Sequence, residues 1–284
     1  MSDKHNPYKV PDTGHVWDDN LRELLNPPPK WWMIGLHASW IFVVLYFLLY
    51  PSIPLVNSHF KGIMGWTSIG EFKDSMQEIQ EIRAEFENRM RGMSAAAILA
   101  DPELSNYAVR SSKVLFGDNC AACHGTGGAG NPNFPVLADD NWLYGGSIEK
   151  IVESITKGRK PMMPAQAQLS EQEISDLAKH VVALSQGSEY EPGKAIFMGK
   201  GACFACHGMD AAGNTAMGAS NLTDGIWRFY PGTEEAVAHT IRHGVNYPGD
   251  PQSRNAVMPA FGDRLSETDI NRLAVYVHKL GGGQ

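Results

Sequence analysis

Polar and apolar positions divide the chain into four unlike stretches. Residues 1–30 are polar, carry Pro7, Pro11 and Pro27 to Pro29, and show no sustained helical period beyond a short turn at Asp19–Leu25. They read as an extended or irregular arm. Trp31 to Tyr50 is then an apolar run of twenty residues without Asp, Glu, Lys or Arg, long enough as a helix to span a hydrocarbon core of ~30 Å. Trp31 and Trp32 stand at one end and Tyr46 and Tyr50 near the other, as aromatic belts do. His37 is the polar exception within the run, and a contact to a neighbouring helix is preferred over a ligand role because no second ligand is near in sequence. From Glu71 to Arg91, Phe72, Met76, Ile79, Ile82, Phe86 and Met90 recur every three or four residues. That is the period of an amphipathic helix, which Gly92 ends. The pattern leaves open whether its apolar face covers its own domain or a partner subunit.

The remaining two stretches repeat one another. Each carries an aromatic residue, Phe116 or Phe197, ahead of a cysteine pair, and each closes with a capped helix, opened by Ser170 with Glu173 or Ser266 with Asp269. The closing helices present matching faces, Ile174, Leu177, Ala178 and Val181 against Ile270, Leu273, Ala274 and Val277. The divisions are therefore an arm at 1–30, an anchor at 31–57, a connector at 58–103 and two domains at 104–187 and 188–284. Thirty polar residues before the apolar run, and no small-residue cleavage site after it, favour a retained anchor over a removed signal peptide.

The net charge of -7 over 284 residues is spread without a strongly basic segment, which excludes nucleic acid as a partner. Domains of about 90 residues bury limited apolar area, so a bound group at the centre of each would supply missing core.

All four cysteines fall in Cys120-Ala-Ala-Cys123-His124 and Cys203-Phe-Ala-Cys206-His207. A disulfide, a thioredoxin-like pair or a four-thiolate zinc site would each use the cysteines, but none requires a His directly after both pairs. Covalent attachment of a c-type haem does: two sulfurs bond the porphyrin and the His takes the iron. Two covalently bound c-type haems are expected, and with them an all-α fold of one N-terminal transmembrane helix and two tandem class I cytochrome c domains. An iron that only moves electrons needs a sixth ligand, usually Met. Met163-Pro-Ala and Met258-Pro-Ala occupy equivalent places before the closing helices, 39 residues after His124 and 51 after His207. They are the candidate axial ligands, with Met162 and Met217 as rivals, and the twelve extra residues of the second repeat fall mainly in Val245–Val257. The spacing does not assign each Met to the haem of its own repeat. Phe134 to Leu137 offers a backbone carbonyl to orient the proximal His124, whereas the matching loop, Ala219 to Leu222, lacks the proline.

Thr13-Gly-His-Val-Trp-Asp18, Leu21-Arg-Glu-Leu24, Asn26-Pro-Pro-Pro-Lys-Trp-Trp32 and Gly65-Trp-Thr-Ser68 resemble the N-terminal signature of the dihaem subunit of cbb₃-type cytochrome c oxidases. The resemblance continues through Asp139-Asp-Asn-Trp-Leu-Tyr-Gly-Gly146 and the closing helices. Lys30 stands where family members often have Arg, which keeps the charge. The resemblance implies a single-pass subunit of the bacterial inner membrane, partnered by a haem–copper catalytic subunit and a monohaem cytochrome c subunit. It would take electrons from soluble or membrane-bound c-type cytochromes and have no substrate chemistry of its own. Because c-haem thioethers are made on the periplasmic side, the haem domains are expected there and the N-terminus in the cytoplasm. Competing functions are a membrane-tethered dihaem shuttle without a permanent complex, and a dihaem peroxidase, against which both candidate Met ligands argue.

Overall fold

The computed structural model describes residues 11–18, 21–229 and 231–283, in two compact units, Met1–Ile82 and Arg83–Gln284. In the first unit the arm is more ordered than its sequence indicates. Strands β1 (Asp12–Trp17) and β2 (Leu21–Leu24) pair antiparallel, with Asp12 opposite Leu24 and Trp17 opposite Leu21. An ion pair from Arg22 to Asp12 at 3.0 Å ties the two strands. Leu21–Leu24 is thus strand where a turn was expected, and Asp19 and Asn20 lie outside the described residues. The hairpin is the one departure from an otherwise helical architecture among the described residues.

Helix α1 (Lys30–Leu49) has no buried residue and is long and apolar enough to cross a membrane. His37 turns its Nδ1 to the Met33 carbonyl of its own helix at 2.6 Å. Tyr50, just past the end of α1, meets Trp66 edge-on at 5.9 Å.

Helix α2 (Ser68–Met90) has the predicted apolar period, but only its last turns are covered. Met90 is fully buried and Phe86 stacks on Tyr107 at 4.5 Å, whereas Phe72, Ile79 and Ile82 are exposed. Gly92, at φ +76°, then turns the chain.

The second unit holds the repeats. Helices α3 (Ala95–Ala100) and α4 (Pro102–Asn119) are joined at Asp101, whose carboxylate accepts from the N–H groups of Glu103 and Leu104 while Pro102 takes the first helical position. The one-turn helix α5 (Ala121–His124) and helix α6 (Ile148–Lys157) complete the first half, before the capping box of Ser170 and Glu173 opens α7 (Glu171–Leu184). The second half runs α8 (Glu191–Met198), α9 (Phe204–His207), α10 (Glu234–His243) and α11 (Glu267–His278).

Sequence order and packing order differ. The closing helix of the first repeat, α7, lies on α8 and α10 of the second, while α11, the closing helix of the second, lies on α4 and α6 of the first and on α3 just before it. Two cores result. One gathers Phe116, Leu104 and Ile151 with Leu273, Ala274 and Val277 of α11; the other gathers Ile174 and Leu177 of α7 with Phe197 and Ile241. Phe116 meets Tyr276 at 5.1 Å, and Phe197 meets His180 of α7 at 5.9 Å. Phe116, Leu104 and Leu273 are at most 2% exposed, and each such side chain contributes about 1.5–3 kcal/mol through burial.

Candidate functional site

Both cysteine motifs form a single helical turn, because one turn sets residues i, i+3 and i+4 on one face. The His124 N–H donates to the Cys120 carbonyl at 2.9 Å and the His207 N–H to the Cys203 carbonyl at 2.9 Å. Gly125 and Gly208, with φ of +72° and +86°, then send the chain back across the histidine.

That return orients both imidazoles. His124 Nδ1 lies 3.0 Å from the Pro135 carbonyl and His207 Nδ1 lies 2.9 Å from the Ser220 carbonyl. A carbonyl can only accept, so each Nδ1 carries the proton and each Nε2 keeps a lone pair for a metal. Burial lowers the pKa of both histidines, which keeps the rings neutral as a ligand must be. The missing proline of the second loop has no effect on this contact, since Ser220 supplies a backbone oxygen.

The two sites face one cavity of about 740 Å³, lined by all four cysteines, His124, His207, Met163 and Met258. As free thiols, Cys120 and Cys203 would be pushed up to about 11 by burial, with smaller contributions from Cys123 and Cys206. A thioredoxin-like nucleophile or a thiolate metal ligand needs the opposite shift. No group of three or more His, Cys, Asp or Glu side chains able to hold a metal ion occurs among the described residues. The donor set fits a group that brings its own metal: paired sulfurs, one neutral imidazole per site and a large apolar enclosure.

The candidate methionines are placed crosswise. Met258 packs into the core that contains Phe116 and Cys120, and Met163 into the core that contains Phe197 and Cys203. Two short backbone ladders hold them there. Arg159 pairs with Met258, and Val245 pairs with Met163. Each ladder starts at a glycine in a backbone region open only to glycine, Gly158 (φ 68°, ψ -178°) and Gly244 (φ 72°, ψ -169°). A Cβ on Gly158 would strike the Met258 carbonyl, and one on Gly244 the Met163 carbonyl. The rivals Met162 and Met217 line the same cavity but are exposed.

Two contributors have no motif. Asn246, at φ +48°, donates from its carboxamide to the Pro161 carbonyl at 2.7 Å and to the Ala256 carbonyl at 2.9 Å, and accepts from the Ala256 N–H at 3.0 Å. It therefore grips both methionine-bearing segments. Arg159 sets its guanidinium 4.4 Å over the Tyr144 ring and donates to Ser154 Oγ at 2.9 Å. An Asn shortly after a helix-ending Gly was the signal available for the first.

Comparison with known proteins follows the same lines. The model of the N-terminal domain of cytochrome oxidase-cbb3, FixP, matches residues 9–57, and that of cytochrome c oxidase, cbb3-type, subunit III, matches 108–181 and 188–277. The chain belongs to the cbb₃-type cytochrome c oxidase subunit III family. Relatives include the cbb3-type cytochrome c oxidase subunit FixP of Azorhizobium caulinodans, 38% identical over 100% of both chains. Another is subunit CcoP of Cereibacter sphaeroides, 35% identical over 99% of this chain and 98% of its own. Membership in a cytochrome c family implies covalently bound haem c, and the tandem cytochrome c domains and apolar N-terminal helix agree with the subunit III architecture.

Proposed function

We propose that this chain binds two c-type haems, one at Cys120, Cys123 and His124 and one at Cys203, Cys206 and His207, and relays electrons within a cbb₃-type terminal oxidase. Bound haem supplies a one-electron Fe(III)/Fe(II) couple, which Met ligation favours in the reduced state. The haem-binding repeats are 104–187 and 188–284. Met258 would hold the iron at the His124 site and Met163 the iron at the His207 site. The observation that carries this reading is the single cavity lined by both histidines and both methionines, with each methionine packed in the core of the other repeat's cysteines.

The chain's own residues position and enclose. Pro135 and Ser220 fix the imidazoles, Gly158 and Gly244 admit the methionine backbones, and α7 and α11 close each site over the opposite repeat. With both methionines as ligands no iron position would be left for a substrate, so the chain would transfer electrons without substrate chemistry of its own. That both sites line one cavity supports electron transfer between them within the chain.

Electrons enter from a soluble or membrane-bound c-type cytochrome and leave toward the monohaem and haem–copper subunits, where dioxygen is reduced and protons are translocated. The α1 helix anchors the chain in the bacterial inner membrane, N-terminus in the cytoplasm and haem domains in the periplasm. The full-length relatives, which are named as oxidase subunits, support this placement over a free membrane-tethered shuttle. Gentle detergent extraction tests it: the chain should emerge with larger haem-bearing subunits and contribute two low-spin c haems that do not bind carbon monoxide. Recovery as a lone species would leave the shuttle, and strong carbon monoxide binding by the isolated chain would favour an enzyme.

A further inference from the structure

Arg228 lies in the loop between the Ser220 carbonyl and α10, and its side chain lines the cavity. It is half-buried, its Nε is sealed from solvent without an acceptor, and its guanidinium makes no hydrogen bond to any described residue. An arginine offers five N–H donors in a planar fork, and sealing even the Nε–H from water without an acceptor is costly.

The two carboxylates nearest in charge, Asp139 and Asp224, do not satisfy it. Asp139 Oδ1 accepts from the Asn141 N–H at 3.1 Å. Asp224 spends one oxygen on the Asn141 side chain at 2.6 Å and the other on the Ile226 N–H at 3.0 Å. Burial outweighs both carboxylates and lowers the guanidinium's pKa. Arg228 belongs to the second repeat, but the loop that carries it is tied to the first, since Asp224 accepts from the Asn141 side chain.

We propose that Arg228 binds a propionate carboxylate of the haem attached at Cys120 and Cys123, so that the second repeat supplies the first site with a cation as well as a methionine. This rests on the haem reading above. The free donors, the apolar cavity and the carboxylates that such a haem brings into it are complementary, since guanidinium and carboxylate match as a bidentate pair. A cation held there favours the less positive, reduced state of that iron.

The test uses the full-length chain in detergent with its haems bound. Haem content is measured first: a parent chain without two thioether-linked haems would overturn the underlying reading rather than the role of Arg228. In Arg228→Gln, one of the two midpoint potentials should fall by about tenfold in the reduced-to-oxidised ratio at fixed poise, ~59 mV for one electron. The affected haem should be the one that Met258→Ala also alters. With ¹³C-labelled propionates, the redox-difference infrared bands of that haem should move in Arg228→Gln and move less in Arg228→Lys, which keeps the charge without the fork. Unchanged potentials and propionate bands in a fully loaded Arg228→Gln chain would overturn the proposal, as would a shift confined to the other haem. If Arg228→Gln does not retain its haems, Arg228→Lys decides by the same bands.

Discussion

Arg159 and Met258 exchange backbone hydrogen bonds: the Arg159 N–H donates to the Met258 carbonyl at 3.0 Å and the Met258 N–H to the Arg159 carbonyl at 2.8 Å. One residue ends the first repeat's α6 segment and the other precedes the second repeat's closing helix. Met163 and Val245 make the mirrored exchange at 3.0 and 2.9 Å. The two repeats are therefore laced at the two candidate ligand methionines.

Crossed ligation has a direct test. In a chain carrying Cys120→Ala and Cys123→Ala, the remaining haem should keep its spectrum and potential when Met258 is replaced by Ala. It should lose Met ligation, with a large fall in potential, when Met163 is replaced. The opposite pattern in redox titration would mean that each repeat supplies its own ligand.

Replacing Gly158 by Ala should cost about 1–3 kcal/mol from backbone strain alone, with the added contact to the Met258 carbonyl. Thermal melts of the haem-loaded chain measure the loss. The ligation defect should appear at the Cys120 haem, and Gly244→Ala should place it at the Cys203 haem.

Asn246 bonds to both ligand-bearing segments, so its removal should disturb both irons. Asn246→Gly keeps the positive φ accessible while deleting three hydrogen bonds, each worth about 1 kcal/mol. Both methionine–iron absorption bands should weaken together; weakening of only one would show that the segments are held independently.

Acid should loosen the exchange of closing helices. Glu173 sits well below the usual carboxylate range, at about 2, through its bond to Lys200 and then those to Ser170. A depressed carboxylate contributes stability that is complete above its unfolded value near 4.5 and is lost as pH falls toward about 2. Because the pair is exposed, the effect is small. Glu173→Gln should flatten the acid limb of the stability profile between these values without changing stability at pH 3 or below by as much as at pH 7.

The haem motifs, the capped closing helices and the apolar helix were all legible from the sequence, because each rests on local spacing or capping. The crossing was not. Ile174, Leu177, Ala178 and Val181 present the same face as Ile270, Leu273, Ala274 and Val277, so either closing helix could satisfy either opening helix. The loops of the two repeats differ instead: four residues separate Gly158 from Met163 and thirteen separate Gly244 from Met258. The extra length is folded back by Asn246 and by Arg254, which donates to Thr240 Oγ1 at 2.8 Å. The α6 and α10 helices carry local signals as well, since Ser147 and Thr233 cap them and Gly158 and Gly244 end them. The pairing of β1 with β2 leaves no mark in the sequence because neither strand has a buried face to impose an alternation.

The exchanged closing helices set an order on biogenesis. A ribosome releases α4 and the first cysteine motif well before α11, yet α11 is the helix that covers that site, and the Trp142 indole N–H bonds to the Gly282 carbonyl near the chain's end. The first site to be made is thus the last to be sealed. Until the final helix arrives that site stays open on the side that α11 covers, and a chain cut short after the first repeat would lack both α11 and Met258.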